Sequence, residues 1–255
     1  VGRGTGEAMA VLVTNGPEFP HGEEIARELM ERIPALVSVV QNINPVRTNV
    51  VLGRESHMLA GRASITDYIG DLKFNISPVS FFQVNPAQTE VLYGKALEYA
   101  RLTGGETVLD LYCGIGTISL FLARQCREVI GIEWVEEAVA DARENALRNG
   151  IHNVRFIAGD AAVEMPRLAE EGVRADVIVL DPPRKGCDEP VLEAIAAVAP
   201  QRVVYVSCNP ASLARDLGSL AGMGYRTVEV QPVDMFPHTA HVECVARVER
   251  GEGRR

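Results

Sequence analysis

Apolar and polar positions follow two different patterns along the chain, and the pattern changes near residue 86. Beyond this point, uninterrupted apolar runs of strand length alternate with segments of helical periodicity. Such an alternation is typical of a parallel sheet covered by helices on both faces. The predicted strands are 107–112, 129–133, 154–158, 177–181 and 202–207, and the predicted helices between them include 134–149, 190–198 and 210–222. Two further strands are predicted at 226–230 and 241–248, the last of them antiparallel.

The earlier part of the chain has short β-branched runs bounded by Gly, Pro or Asn. They predict strands at 10–14, 35–42 and 49–53, with one helix over residues 23–33. We therefore predict an α/β protein in three parts. These are a small α+β subdomain over residues 1–76, a mostly parallel sheet domain over 77–250 and a tail at 251–255.

The composition limits the classes of function. No run approaches the roughly 18 apolar residues of a membrane span, and no signal-peptide pattern begins the chain, so we expect a cytoplasmic protein without a membrane partner. The five cysteines include no C-x-x-C pair and imply no metal. The net charge of −9 is unusual for a nucleic-acid binder, because such proteins usually carry a basic surface.

A candidate cofactor site lies at the end of the first strand of the sheet. The run D-L-Y-C-G-I-G-T over 110–117 has glycines that permit a tight turn close to a ligand. Glu133 ends the next strand, where an acidic residue can bind ribose hydroxyls, and Asp160 follows the third. The third glycine of a dinucleotide fingerprint is absent, and Asp110 suits a methionine ammonium. The pattern favours S-adenosylmethionine, with a dinucleotide site or a plain tight turn as alternatives.

A candidate reactive site lies at the ends of the fourth and fifth strands. D-P-P-R-K-G over 181–186 and Cys208 in S-C-N-P project to the same edge as the cofactor loop. Amine methyltransferases commonly have an aromatic residue where this chain has Arg184. A cysteine instead suits methylation of carbon 5 of uracil, because thiolate addition to carbon 6 activates carbon 5. The mechanism requires a Cys208 pKa below about 8.5 or an assisting base. The alternative is a cysteine that only packs.

The assisting base is sought near the C-terminus, in F-P-H-T-A-H-V-E. If the last strand runs antiparallel beside the fifth, its first residues lie close to Cys208. Glu243 is then a candidate general base, because a carboxylate in an apolar strand is costly unless it is paired or functional. His238 and His241 compete for the role, and a structural ion pair is the alternative for Glu243.

Five motifs in order resemble the RNA uracil-5-methyltransferase family, strongly over residues 77–250. They are S-F-F-Q-V-N-P-x-Q, D-L-Y-C-G-I-G-T, D-P-P-R-K-G, S-C-N-P-x-S-L-A-R-D and D-M-F-P-H-T-x-H-V-E. The resemblance implies a Rossmann-like class I methyltransferase sheet, with Cys208 as nucleophile and Glu243 as proton acceptor. It implies contacts to S-adenosylmethionine from Gln83, Tyr112, Glu133, Asp160 and Asp181. Phe81 or Phe82 would lie beside a uracil flipped from its stack.

The sequence around N-V-V-L-G and F-F-Q-V-N resembles the members of the family that act on 23S rRNA more than those that act on tRNA. The chain resembles a catalytic core without the oligonucleotide-binding domain or four-cysteine iron–sulfur site of other members. We therefore expect it to bind cofactor but to bind RNA weakly. The competing interpretations are an RNA or protein amine methyltransferase, a non-catalytic RNA-binding factor and a nicotinamide-dependent oxidoreductase.

Overall fold

The structure is a computed structural model that describes residues 1–46, 51–53 and 55–251. The chain forms two compact units, Val1–Phe82 and Gln83–Arg255. Most of the predicted tail, residues 252–255, lies outside the described residues. Within the described residues, no helix combines the length and apolar character needed to cross a bilayer.

The first unit, Val1–Phe82, is a small α+β layer. Its three-stranded sheet has the order β1-β2-β3, with β1 and β2 parallel and β3 antiparallel to β2. Helix α1 packs on this sheet through Ala26, which is buried with Leu36 and Val39. A separate hairpin follows. The bounds are β1 (Ala8–Thr14), α1 (Gly22–Arg32), β2 (Leu36–Ile43), β3 (Glu55–Gly61), β4 (Ile65–Ile69) and β5 (Leu72–Ile76).

The strand predicted at 49–53 is wrong for the residues that can be compared. Residues 51–53 are not in a strand, and 49 and 50 lie outside the described residues. The Asn42 side chain accepts a hydrogen bond from the backbone N–H of Gly53 at 2.7 Å and donates one to its carbonyl at 3.0 Å. A side chain thus takes the place of a strand partner there. The third strand is Glu55–Gly61, which is mostly exposed and lacks the apolar run expected of a buried strand.

The second unit contains a seven-stranded sheet of order β11-β12-β10-β9-β6-β7-β8. Strands β6 to β10 are mutually parallel, and β12 is antiparallel to both β10 and β11. This confirms the predicted fold class. The strand bounds are β6 (Thr107–Leu111), β7 (Glu128–Glu133), β8 (Val154–Ala158), β9 (Val177–Leu180), β10 (Arg202–Ser207), β11 (Tyr225–Val233) and β12 (Glu243–Arg250).

Among the described residues of this unit, helix α2 precedes β6, and five further helices connect the strands. The helices are α2 (Pro86–Ala100), α3 (Thr117–Ala123), α4 (Glu136–Arg148), α5 (Ala161–Glu170), α6 (Glu189–Val198) and α7 (Pro210–Gly222). Two of them begin at an Asn-Pro pair: the side chains of Asn85 and Asn209 accept hydrogen bonds from the first-turn amides, while proline supplies the first helical residue. Helix α4 begins later than predicted because the Glu133 carboxylate accepts a hydrogen bond from the N–H of Val135 at 3.0 Å.

The central strands are buried on both faces, which explains their uninterrupted apolar sequences. Every residue of β6 and of β9 is buried. Leu109, Ile130 and Ile178 belong to one core cluster with residues of β10 and β12. Because β6 to β10 are parallel, their carboxyl ends meet at one edge of the sheet.

Candidate active site

The loop after β6 is shaped by its unusual backbone and by two neighbours. Tyr112, Gly114 and Gly116 all have positive φ angles, of 62°, 53° and 83°. The hydroxyl groups of Tyr93 and Thr117 are 2.9 Å apart and tie α2 to the end of this loop. A Cβ at Gly114 would meet no atom within 4 Å, so the space beside that residue is open to a ligand.

Glu133 and Asp160 follow neighbouring parallel strands, as the sequence predicts. Residues Glu133 and Ala158 are paired across β7 and β8. The Glu133 carboxylate accepts a hydrogen bond from the N–H of Gly114 at 3.0 Å, which joins it to the glycine loop. The Asp160 side chain is exposed and accepts a hydrogen bond from the N–H of Ala162 at 2.8 Å at the start of α5. A carboxylate can accept further hydrogen bonds beyond these.

Asp110 and Gln83 each have one buried polar atom with no hydrogen-bond partner among the described residues. Asp110 is 1% exposed; its Oδ2 accepts a hydrogen bond from the hydroxyl of Ser119 at 2.5 Å, while its Oδ1 has no partner. Burial, with a contribution from the Glu133 charge, raises the pKa of Asp110 to about 7. The second atom is Oε1 of Gln83. Unpaired buried acceptors are costly, so these atoms fit a ligand that brings donors or positive charge.

Cys208 and Glu243 meet at the opposite side of the same edge. The antiparallel register pairs Ser207 with Cys244, so its next step sets Cys208 against Glu243. Glu243 is 4% exposed. Cys208 is partly exposed, whereas the other four cysteines are buried. The conditional prediction that an antiparallel last strand would bring these two residues together therefore matches the observed register.

A nucleophilic Cys208 needs either a lowered thiol pKa or an assisting base. The surroundings of Cys208 do not meet the first of these conditions. Burial raises the pKa of the Cys208 thiol, the charges of Glu243 and Asp181 raise it further, and the Arg184 guanidinium opposes them. The expectation of a lowered pKa is therefore wrong, chiefly because the thiol is partly buried and further because the charges of two carboxyl groups act on it. The second condition, assistance by a base, remains. Burial also raises the pKa of Glu243, again opposed by Arg184.

Asp181 lies between the two halves of the site. Burial, followed by the charges of Glu243 and Asp110, raises the pKa of Asp181 to about 7. The negative charges of these three carboxyl groups act on one another, which favours a cationic ligand among them. The charges of Asp181 and Glu243 also reach Cys208, the cysteine that is not buried.

The remaining predicted site residues have less enclosed environments. His238 and His241 are exposed, and His241 contacts the Phe236 ring with a centroid separation of 6.3 Å. Phe81 and Phe82 belong to the first unit. The Phe82 ring packs against Phe74 at 5.9 Å, whereas the Phe81 side chain is 73% exposed. Phe81 is therefore the more accessible aromatic side chain of the two.

Several residues that shape the site were not assigned roles from the sequence. Tyr93 and Ser119 contact the glycine loop and Asp110, and neither has a spacing that distinguishes it from a core or helix residue. Asn209, Arg215 and Asp216 stand within the quoted motif S-C-N-P-x-S-L-A-R-D. Their place in that motif was the available signal.

The sheet order and the loop after its first strand define a class I methyltransferase fold. A precorrin-6y C5,15-methyltransferase from Geobacter metallireducens is 14% identical, with a TM-score of 0.53 over 64% of this chain and 89% of that chain. At this identity the likeness shows the fold alone.

Sequence comparison identifies a family within this fold. A sequence model described as tRNA (uracil-5-)-methyltransferase matches residues 69–250. This chain belongs to the tRNA (uracil-5-)-methyltransferase family. An uncharacterized RNA methyltransferase of Caldanaerobacter subterraneus is 58% identical over 96% of this chain and 54% of its own length. Another, of Bacillus cereus, is 55% identical over 98% of this chain and 55% of its own length. The chain thus spans about half the length of these relatives.

One solved relative gives a closer structural match. The tRNA (uracil-54, C5)-methyltransferase of Pyrococcus abyssi, in complex with S-adenosyl-L-homocysteine, is 31% identical. Its TM-score is 0.78, over 97% of this chain and 56% of that chain.

Proposed function

We propose that this chain methylates carbon 5 of a uridine in RNA, with Cys208 as nucleophile and Glu243 as general base. The observation that carries the proposal is the register of β10 and β12. It sets a partly exposed thiol against a buried carboxyl group, at the same sheet edge as the unpaired Oδ1 of Asp110. A cysteine that only packs would have no need of a buried carboxyl group opposite it.

The cofactor of the proposed reaction is S-adenosylmethionine, and the residues present fit it. When bound, it supplies an electrophilic methyl group on a sulfonium. Asp110 and Gln83 offer unpaired buried acceptors to the donors of an amino acid, and Glu133 offers oxygens to ribose hydroxyls. Asp160 is proposed to bind the adenine, and Tyr112 and Asp181 are proposed to contact the cofactor from the same edge. The S-adenosyl-L-homocysteine complex of the Pyrococcus abyssi relative supports this assignment.

The first chemical task of the protein is to form a bond between the Cys208 sulfur and carbon 6 of uracil. Cys208 is partly exposed, so a solvent water molecule can accept the thiol proton and act as the assisting base. Addition moves the electron pair of the ring double bond onto carbon 5 and the adjoining carbonyl, as an enolate. Arg184 is the cation whose charge acts on both Cys208 and Glu243, so it is placed to balance this negative charge.

The second task is to remove the carbon 5 proton after that carbon has gained its methyl group. The Glu243 carboxylate accepts the proton, the double bond reforms, and the bond between sulfur and carbon 6 breaks with return of the thiolate. Burial raises the pKa of Glu243 and so makes its carboxylate a stronger base than an exposed glutamate.

The RNA is proposed to be 23S rRNA, in the cytoplasm, because the sequence around residues 49–53 and 81–85 resembles the members of the family that act on it. The solved Pyrococcus abyssi relative is named as a tRNA methyltransferase, which makes tRNA the second candidate. Phe81 is proposed to stack on the flipped base. The proposed division of the chain is a small subdomain over 1–76 and the methyltransferase domain over 77–250. Transcripts of 23S rRNA and tRNA, assayed at equal concentration, separate the two substrates.

The test of the reaction uses RNA tritiated at carbon 5 of its uridines together with methyl-labelled S-adenosylmethionine. We expect methyl incorporation and tritium release in equal amounts, both lost in Cys208→Ala. Cys126→Ala, which changes a buried cysteine at the other end of the sheet, should retain both. Methyl transfer without tritium release, or full activity in Cys208→Ala, would instead indicate an amine methyltransferase. No transfer to any RNA would leave the non-catalytic interpretation.

A further inference from the structure

We propose that Asp216 and Arg215 of α7 are positioning residues that clamp the loop over residues 184–187 and so hold Arg184 towards Cys208 and Glu243. This inference rests on the proposed function for its catalytic consequence. Its structural content is that α7 fixes the loop after β9 through hydrogen bonds to the backbone.

Asp216 is the centre of the clamp. Its side chain is 0% exposed. Its Oδ2 accepts hydrogen bonds from the N–H of Cys187 at 2.8 Å and from the hydroxyl of Tyr205 at 2.5 Å. Its Oδ1 accepts one from Nε of Arg215 at 2.8 Å. A buried carboxylate with three donors is a fixed point in a structure, since moving any donor leaves a charge unsatisfied.

Two further side chains extend the clamp along the loop. The guanidinium of Arg215 donates to the carbonyl of Lys185 at 2.7 Å and to that of Cys187 at 3.3 Å. The amide of Asn209 donates to the carbonyl of Arg184 at 3.0 Å. The backbone on both sides of Gly186 is therefore held by α7 and its N-terminal cap.

Gly186 shows how tightly the loop presses on the clamp. Its φ angle is 79°, and a Cβ there would overlap Oδ2 of Asp216 and lie 2.6 Å from an amino nitrogen of Arg215. The loop has no space for a side chain at this position. Glycine is needed both for the backbone angle and for the close approach.

The clamp joins the nucleophile strand to the loop that carries the cation. Tyr205 lies on β10, three residues before Cys208, and shares Oδ2 of Asp216 with Cys187. The charged groups that act on Cys208 are Glu243, Asp181 and Arg184, and Arg184 is the one that favours the thiolate. A loosened loop would remove the favourable charge and leave the two unfavourable ones.

The test measures alkylation of Cys208 by iodoacetamide as a function of pH, in free protein without RNA. The other four cysteines are buried, so the reaction reports Cys208. We expect Asp216→Asn and Tyr205→Phe to move the midpoint upward by about half a pH unit or more. Tyr225→Phe is the matched control, because it removes a different buried tyrosine hydrogen bond, to the carbonyl of Pro200 at 3.3 Å. It should leave the midpoint unchanged.

A double variant separates positioning from simple stabilisation. If Asp216 acts through Arg184, then Asp216→Asn should shift the midpoint no further in an Arg184→Ala background. In methyl transfer it should lower kcat more than it raises KM for RNA. Arg215→Lys, which keeps the charge but not the forked contacts, gives the same test should Asp216→Asn fail to fold. A wild-type alkylation profile in folded variants, or additive shifts, would overturn the clamp. A correct alkylation result without methyl transfer would overturn only the proposed function.

Discussion

Cys208 and Glu243 stand at the adjoining ends of two antiparallel strands, because Ser207 of β10 is paired with Cys244 of β12. Chain order separates them widely, and only the reversal of the last strand brings them to one edge. That reversal also gives the thiol a carboxyl neighbour that raises its pKa. Ionising the Cys208 thiol and the Glu243 carboxyl group at the same time is therefore unfavourable. This suits a reaction in which the thiolate and the carboxylate act one after the other.

Glu243→Gln should stop the second task and spare the first. Glutamine cannot accept the carbon 5 proton, so we expect tritium release to fall by roughly a hundredfold or more. The covalent protein–RNA complex should accumulate and should remain intact as a band in denaturing electrophoresis. Glu249→Gln, on the same strand at its far end, is the control and should behave as wild type. Normal tritium release in Glu243→Gln would transfer the base role to His238 or His241.

Binding of S-adenosylmethionine should strengthen as the pH rises through 7. In the free protein the pKa of Asp110 is about 7, so below that pH a proton must leave before the carboxylate can meet an ammonium group. For one such group, affinity at pH 8 should exceed that at pH 6 by about tenfold. Calorimetry in buffers of different ionisation enthalpy should detect the released proton.

Two aspartate variants provide the controls for that titration. Asp110→Asn should weaken binding and remove the part of the pH dependence that Asp110 contributes. Asp160→Asn changes an exposed carboxylate and should preserve the dependence. Affinity that stays constant between pH 6 and pH 8 in the wild type would contradict the assignment of Asp110.

Asp110→Asn should also stabilise the ligand-free protein. The ordinary pKa of 3.8 applies in the unfolded chain and about 7 in the folded one, so unfolding is favoured by ionisation as pH rises from 4 to 7. The full cost is present above pH 7 and is at most roughly 4 kcal/mol. Urea unfolding should show a larger gain in the free energy of unfolding at pH 8 than at pH 5.5.

A second buried aspartate is the matched comparison for stability. Asp67 is 2% exposed and accepts hydrogen bonds from the N–H groups of Arg3 at 2.8 Å and Gly4 at 2.7 Å. Asp67→Asn leaves one of these donors without its acceptor and should destabilise the protein by about 1–3 kcal/mol. If Asp110→Asn and Asp67→Asn changed the free energy of unfolding equally, the unpaired Oδ1 of Asp110 would not be destabilising the folded protein.

Gly131 should resist substitution because of packing rather than backbone angle. A Cβ there would lie 2.5 Å from the Phe156 ring and 2.9 Å from the Cys113 sulfur, so Gly131→Ala should cost about 1–3 kcal/mol. Gly94 lies in α2, where an added Cβ would meet no atom within 4 Å, and Gly94→Ala should stabilise by about 0.5–1 kcal/mol. Urea unfolding of both variants checks the contrast, which fails if Gly131→Ala is neutral.

The sequence predicts the sheet domain well because its strands are buried on both faces. The strands β6 to β10 all begin and end within one residue of their predicted bounds. Each apolar run there coincides with one buried strand. Strand β3 escaped prediction because it is mostly exposed, and β12 begins two residues late because the N–H of His241 is bonded to the Thr239 side chain at 3.2 Å in a turn.

The site was predictable where a residue type has few structural uses at a strand end. Asp110 and Glu133, in the last two positions of their strands, and Asp181, directly after β9, are examples, because the carboxyl ends of parallel strands meet at one edge of the sheet. The raised pKa of Cys208 was not predictable, because it depends on how far the thiol is buried and then on which carboxyl groups lie near it. The clamp around Asp216 was also not predictable, since Asp216 and Arg215 hold the loop through its backbone groups, which carry no sequence signal.

The most direct test of the central claim uses RNA in which uridine is replaced by 5-fluorouridine. Fluorine at carbon 5 cannot leave as a proton, so Glu243 cannot complete its task and the bond between Cys208 and carbon 6 persists. We predict a stable protein–RNA adduct that requires S-adenosylmethionine, maps by mass spectrometry to Cys208 and is absent in Cys208→Ala. A chain that methylates uridine RNA yet forms no such adduct would contradict the covalent role of Cys208.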